Sequence, residues 1–345
     1  ASLCRVRLMK RLACVFMFFC AMVHGDERPR LLVLTDIGGD PDDQQSLVRL
    51  LVYANEFEIE GLVASSTGTL GERATPTTRP DLIREYVDAY GEVRANLARH
   101  AQGWPTVEAL RAGIKTGNPL RGREHIGEGH DTEGSRWIVE RVDAGTPERP
   151  LNISIWGGQT DLAQALWRVK HERGAAGLAE FVRRFRAYDV DDQDRIAAWM
   201  REEFPGMFYI LSRPAEGQDK RLATYRGMYL GGDESLTSLE WARENVLSKG
   251  PLGRLYPVET WTEPNPHGCL KEGDTPSWFF FLRVGGNDPR DPTKPGWGGQ
   301  FRRMPDGWFR DLERTDALDP RDTVNRWRPE FQRDFARRMA WCVNE

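Results

Sequence analysis

From Arg30 onward, short apolar runs alternate with segments whose apolar residues recur at helical spacing, the pattern of a parallel sheet flanked by helices. Leu31 to Leu34 predicts a first strand, and Asp42 and Asp43 open an amphipathic helix with Leu47, Leu50, Leu51 and Ala54 on one face. A strand over Ile59 to Ser65 follows, then helices over Asp81 to Ala98 and Glu133 to Asp143. Leu151 to Trp156 predicts a strand ending at Gly157-Gly158, and Thr160 to Arg168 the helix after it. Phe185 to Val190 and Met207 to Leu211 predict further strands around a helix over Arg195 to Glu203. After Ala215 the alternation weakens. Glycine and proline become frequent there, Asp288 to Lys294 must be irregular, and a last helix over Arg328 to Val343 closes the chain. The expected fold is an open, mostly parallel α/β sheet with a loop-rich second half, forming one domain over residues 30–345.

The chain holds 345 residues, with 48 Lys plus Arg against 52 Asp plus Glu for a net charge of −4. Both signs are spread along it, which argues against a nucleic-acid partner or an anionic membrane surface. Residues 1–25 stand apart. Arg5, Arg7, Lys10 and Arg11 precede an apolar run from Leu12 to Val23, the order of a secretory signal peptide. The run falls short of the ~20 residues of a membrane span. A secreted or periplasmic protein without stable membrane insertion after cleavage is expected. Cys4, Cys14 and Cys20 would leave with this segment, so Cys269 and Cys342 remain, at a spacing that matches no zinc or redox motif.

The chemistry concentrates where the first strand ends. Thr35-Asp36-Ile37-Gly38-Gly39-Asp40-Pro41-Asp42-Asp43 places four carboxylates within eight residues. In a doubly wound sheet that turn opens onto the ligand crevice. Clustered carboxylates at a Gly-rich turn suit a hard, oxygen-ligated cation such as Ca²⁺. The competing reading, that Asp42 and Asp43 cap the next helix and complement its dipole, accounts for one or two of the four. The turn argues against nucleotide-phosphate binding: it lacks Gly-x-Gly-x-x-Gly and a Lys-Ser/Thr ending, and its carboxylates would repel an anion.

This turn resembles the N-terminal aspartate motif of the nucleoside hydrolase superfamily. Pro41 to Leu51, Glu133-Gly134-Ser135, Trp156-Gly157-Gly158, Asp192-Gln193-Asp194, Glu272 to Ser277 and Gly296 to Gly299 look like a bacterial cellulose-binding family with a nucleoside-hydrolase-like domain. The likeness spans nearly all of Arg30 to Cys342. It implies a nucleoside-hydrolase-like fold and Ca²⁺-dependent cleavage of an N-glycosidic or related glycosyl bond. It further implies that Asp43 and Asp274 bind the metal, Trp156 lends its main-chain carbonyl, and Asp42 holds the sugar. Two positions depart from the pattern. Gly38 occupies the usual place of the water-activating aspartate, leaving Asp36, also as a metal ligand, or Asp40 for that role. Gly273 replaces the histidine that helps the leaving group depart, with His125, His130 and His267 as candidates lacking positional support. These departures favour the alternative of a non-catalytic carbohydrate-binding protein. On either reading the partner is a sugar-containing small molecule or a glycan.

Three further features compete between site and scaffold. Trp156, Trp261, Trp278 and Trp297 lie in or beside Gly/Pro-rich loops where rings can stack on sugars. The apolar run Trp278 to Leu282 reads as core, whereas the glycines around Trp297 let a backbone approach a ligand, so Trp297 is a candidate sugar contact. The cluster Asp189, Asp191, Asp192 and Asp194 directly follows a strand and brings Asp194 forward as a substrate contact. Glu133-Gly134-Ser135 can line the crevice or cap its helix.

Overall fold

The computed structural model describes residues 27–68, 75–259 and 269–343. The expected signal peptide, Trp261 and His267 lie outside the described residues. Eight strands form one sheet: β1 Arg30–Thr35, β2 Glu58–Ala64, β3 Ile114–Thr116, β4 Leu151–Ile155, β5 Phe185–Val190, β6 Phe208–Ser212, β7 Phe301–Arg303 and β8 Phe309–Asp311. Their order is β3-β2-β1-β4-β5-β6-β8-β7, parallel except for the β7–β8 pair. The fold is the expected nucleoside-hydrolase-like α/β sheet.

The alternation of β1 explains why both faces are covered. Leu31 and Val33 join one apolar core while Leu32 and Leu34 join the other, all fully buried. The first core takes residues of helices Asp42–Leu51, Pro80–Leu97 and Arg328–Ala340, and the second takes residues of helices Glu133–Asp143, Gln159–Val182 and Ala197–Glu203. Because β2 and β4 flank β1 on opposite sides, the chain reverses direction across the sheet at β1 and β4. A crevice opens at the carboxyl ends of strands at such a switch.

Differences from the sequence pattern are local. The helix starting at Gln159 continues to Val182, through a non-helical Gly174 with φ +66. Trp278 lies in a short helix, Thr275–Phe279, fully buried. Strands β3, β7 and β8 have three residues each, too few to show a period. Cys269 and Cys342 are both buried and unbridged.

Candidate functional site

The turn after β1 aims its carboxylates by backbone geometry and by small neighbours. Gly38 adopts φ +101, and a Cβ there would meet Arg79, Leu82 and Thr67. A side chain at that position would point at the helix Pro80–Leu97, so an aspartate there would not serve this crevice. Asp36 takes the space beside the neighbouring strand instead. A Cβ on Gly157, just beyond β4, would come within 2.6 Å of Asp36 Cγ, so the glycine leaves room for that carboxylate. Asp42 and Asp43 form the first turn of helix Asp42–Leu51, whose N-cap is Pro41 with no side-chain cap bond. Neither aspartate is the N-cap residue, and both lie in the first turn, where they also complement the helix dipole. Thr35 at the end of β1 donates its hydroxyl to Asp43 Oδ1 and fixes that carboxylate.

Asp274 arrives from the far end of the sequence. It precedes helix Thr275–Phe279, and its main-chain carbonyl accepts from the Ser277 hydroxyl, which also contacts the hydroxyl of Ser154 on β4. Carboxylate oxygens of Asp42, Asp43 and Asp274 lie within 4.8 Å of one another. Asp274 Oδ2 is buried with no hydrogen-bond partner. Burial and mutual repulsion make this set costly when ionised. Burial, then Asp40, pushes Asp42 up to about 8, with Lys271 opposing and Asp36 adding. Burial with Asp36 and Asp274 raises Asp43 well above the ordinary carboxylate range, and burial with Asp42 and Asp36 does so for Asp274. Carboxylates that share a site in this way are relieved by a cation. An all-oxygen donor set with an unpartnered buried oxygen fits a hard ion of the Ca²⁺ class.

These residues line a crevice of ≈240 Å³ together with Asp36, Asp40, Lys271, Tyr225, Tyr229 and Gln193. Lys271 donates to Asp40, both buried. Arg121 donates to Asp36 Oδ2 at 2.9 Å and to the Ser66 carbonyl at 2.6 Å, and lies 3.5 Å from Asp194. Both base candidates thus have a cationic neighbour. A Cβ on Gly273 would lie 3.2 Å from the Tyr225 ring, so aromatic surface occupies the space a larger side chain would need.

The structure brings Asp36, Asp40, Asp42, Asp43 and Asp274 together. The Trp156 carbonyl accepts from Gln193 Nε2 at the crevice edge. Asp194 is turned inward: its Oδ2 accepts from the main-chain N–H of Thr160 at 2.8 Å and from the Thr160 hydroxyl at 2.7 Å. Its neighbours Asp191 and Gln193 line the crevice instead. Trp297 is buried against Phe279 and Phe331, apart from the crevice lining. His125 and His130 pack edge-to-face in the loop after β3 and do not line the crevice. Thr132 and Ser135 form a capping box on helix Glu133–Asp143, so the Glu133-Gly134-Ser135 motif has a structural role. Sequence reasoning missed Lys271, Arg121, Tyr225 and Tyr229. Lys271 adjoins the Glu272-Gly273-Asp274 motif, a signal that was there to find; Arg121 lies in a loop with none.

Residues 30–301 match the family described as cellulose-binding Sde182, nucleoside hydrolase-like domain. A solved structure from Saccharophagus degradans, described as a nucleoside hydrolase-related hypothetical protein associated with carbohydrate metabolism, is similar with a TM-score of 0.73 and 29% identity. The likeness covers 92% of this chain and 72% of that one. No curated protein matches the chain.

Proposed function

The chain belongs to the cellulose-binding family with a nucleoside-hydrolase-like domain, and from that premise we propose that it is an exported, Ca²⁺-dependent glycosidase cleaving an N-glycosidic or related glycosyl bond. The observation that carries this reading is the convergence of Asp42, Asp43 and Asp274, with Asp274 Oδ2 buried and unpartnered. Asp43 and Asp274 would hold the ion, with Asp36 and the Trp156 carbonyl at its edge. A bound Ca²⁺ would supply a Lewis-acid centre that polarises oxygens at the crevice floor.

The chain's own residues do the rest. Asp42, at the crevice surface, accepts hydrogen bonds from sugar hydroxyls. Asp36, oriented by Arg121 and given room by Gly157, accepts the proton of the water that attacks the anomeric carbon. Asp40 neutralises Lys271 within the crevice. The Tyr225 and Tyr229 rings line the crevice beside Gly273, where the leaving group would depart and take its proton from solvent.

A second reading, a carbohydrate-binding protein without catalysis, draws on the cations that engage both Asp36 and Asp40. Reducing-sugar release from nucleosides and soluble oligosaccharides, with Ca²⁺ or EDTA, separates the two. The glycosidase reading expects Ca²⁺-dependent release that falls at least ~100-fold in Asp36→Asn and Asp43→Ala. No release from any substrate, with retention on insoluble cellulose, would establish the binding reading in its place.

A further inference from the structure

Beside the acidic crevice runs a second cavity, a groove of ≈840 Å³ that shares Asp191, Gln193 and Lys220 with it as a common wall. Asp191 and Gln193 belong to the turn after β5, whose backbone is strained: Asp191, Asp192 and Arg195 all have positive φ, at +75, +52 and +57. Three such residues in five cost on the order of 1 kcal/mol or more each and persist only where the surroundings impose them. Asp192 is part of what imposes them. Its Oδ1 accepts from the main-chain N–H groups of Ile196 and Ala197, both at 2.9 Å, and its Oδ2 pairs with Arg213 at 3.0 Å.

The charges of the groove do not cancel pair by pair. Arg213 is matched to Asp192 and Arg302 to Glu313 at 2.9 Å. Asp311 is buried and accepts from the Thr224 N–H at 2.8 Å. The side chains of Arg195, exposed, and Arg310, half-buried on β8, have no hydrogen-bond or ion-pair partner among the described residues, and Asp191 and Glu216 are the further acids that line the groove. Burial, then Arg201, lowers Arg310 from the ordinary guanidinium range against the opposing pull of Asp192, Asp189 and Asp306, so its charge is held at a net cost that a further anion would offset. A guanidinium fork matches a carboxylate or sulfate bidentately. The lining contains no aromatic ring, so the stacking platform that would hold a flat neutral glucan is missing from the residues that form it.

We propose that this groove is a subsite for an anionic oligosaccharide, whose carboxylate or sulfate group binds Arg195 and Arg310 while its chain extends past Asp191 and Gln193 toward the crevice. The assignment rests on the crevice being a sugar site, which is what makes its neighbour a subsite. It gives this chain a substrate class larger than a nucleoside and different in charge from cellulose.

Isothermal titration calorimetry on the whole protein in Ca²⁺-free buffer tests it. The probes are tetragalacturonate, the same tetrasaccharide with its carboxyls reduced to hydroxymethyl groups, and a sulfated carrageenan tetrasaccharide. At least one anionic probe should bind ten times or more tighter than the reduced one, and the stronger of the two identifies the anion. Arg310→Met and Arg195→Asn should each weaken that probe about tenfold, with Arg310→Lys intermediate and the reduced tetrasaccharide shifting less than about twofold. Equal affinities for charged and reduced probes, no binding of either anion, or arginine variants without effect would overturn the proposal. Ca²⁺ titration of the same samples reads the crevice separately: groove binding that survives while no Ca²⁺ binds would overturn the crevice reading alone.

Discussion

A methyl group on Gly157 would sit 2.6 Å from Asp36 Cγ and 2.8 Å from its Cβ, while the glycine's own φ is not in the left-handed region. Gly157→Ala therefore keeps an allowed φ but forces Asp36 to shift at its Cβ as well as its carboxylate. It should lower Ca²⁺-dependent sugar release at least ~100-fold while the circular dichroism spectrum stays native. Full activity in that variant would remove Asp36 from the mechanism. Lys271 answers the opposite question, what offsets the acids when no ion is bound. It is buried against Asp40 and opposes the raised values of Asp42 and Asp274. Lys271→Met leaves those carboxylates without a buried cation, and stability in EDTA should fall by about 3 kcal/mol. Thermal melts with added Ca²⁺ should recover part of the loss, since an ion that binds only the folded chain stabilises it. The sequence exposed Asp42 and Asp43 through their place in the turn. It could not rank Asp36 against Asp40, because that depends on which one faces Gly157 across two strands and which one meets Lys271.

At the scale of elements, the first turn of helix Gln159–Val182 holds Asp161 between three neighbours. Its carboxylate accepts from the hydroxyls of Ser65 at 2.7 Å and Thr132 at 2.8 Å and from the Asn118 N–H at 2.9 Å. Burial outweighs these bonds and raises Asp161 to about 6 from 3.8. A carboxyl raised on folding adds most stability when protonated in both states, and loses that contribution as pH climbs from about 4 to about 6. The stability difference between the native protein and Asp161→Asn should therefore drop by about 2 kcal/mol from pH 4 to pH 7. Urea melts of both proteins across that range measure it; a flat difference would show that the hydrogen bonds balance burial, and a rising one that they outweigh it. The pattern of apolar positions exposed β1, β2, β4, β5 and β6 because each carries a run long enough to read. It hid β7 and β8, whose register comes from pairing with each other and with β6. The capping box of Thr132 and Ser135 was legible as local chemistry; the contact of Thr132 with Asp161, 29 residues away, was not.

At the scale of the whole molecule, the site depends on joining the start of the chain to its last third. Arg49, on the helix that begins with Asp42 and Asp43, pairs with Glu272, 223 residues later and two positions before Asp274. Both side chains are fully buried. Arg49 also donates to Gln332 Oε1 at 2.8 Å and stacks over the Phe335 ring at 3.7 Å, both on the last long helix. Glu272 accepts from Tyr256 at 2.7 Å and Thr275 at 2.9 Å. Only the resemblance to known proteins linked Asp274 to the first turn, because no local pattern encodes a contact across that separation. The pair is costly to desolvate and more costly to break. Glu272→Met should destabilise the protein by about 3–5 kcal/mol, since it leaves the Arg49 charge buried without its partner. Arg49→Met together with Glu272→Met should recover part of that loss, because no buried charge then remains. Ca²⁺ affinity is expected to behave differently. Both variants remove the clamp that sets Asp274 beside Asp43, so both should bind Ca²⁺ at least ~10-fold more weakly, as when supporting partners of metal ligands are lost. Denaturant melts in EDTA alongside Ca²⁺ titration of the same samples measure the two quantities. If Ca²⁺ affinity recovered in step with stability in the double variant, the pair would serve the core alone; if it stayed low, the ion pair is what aligns the two ends of the chain at the metal.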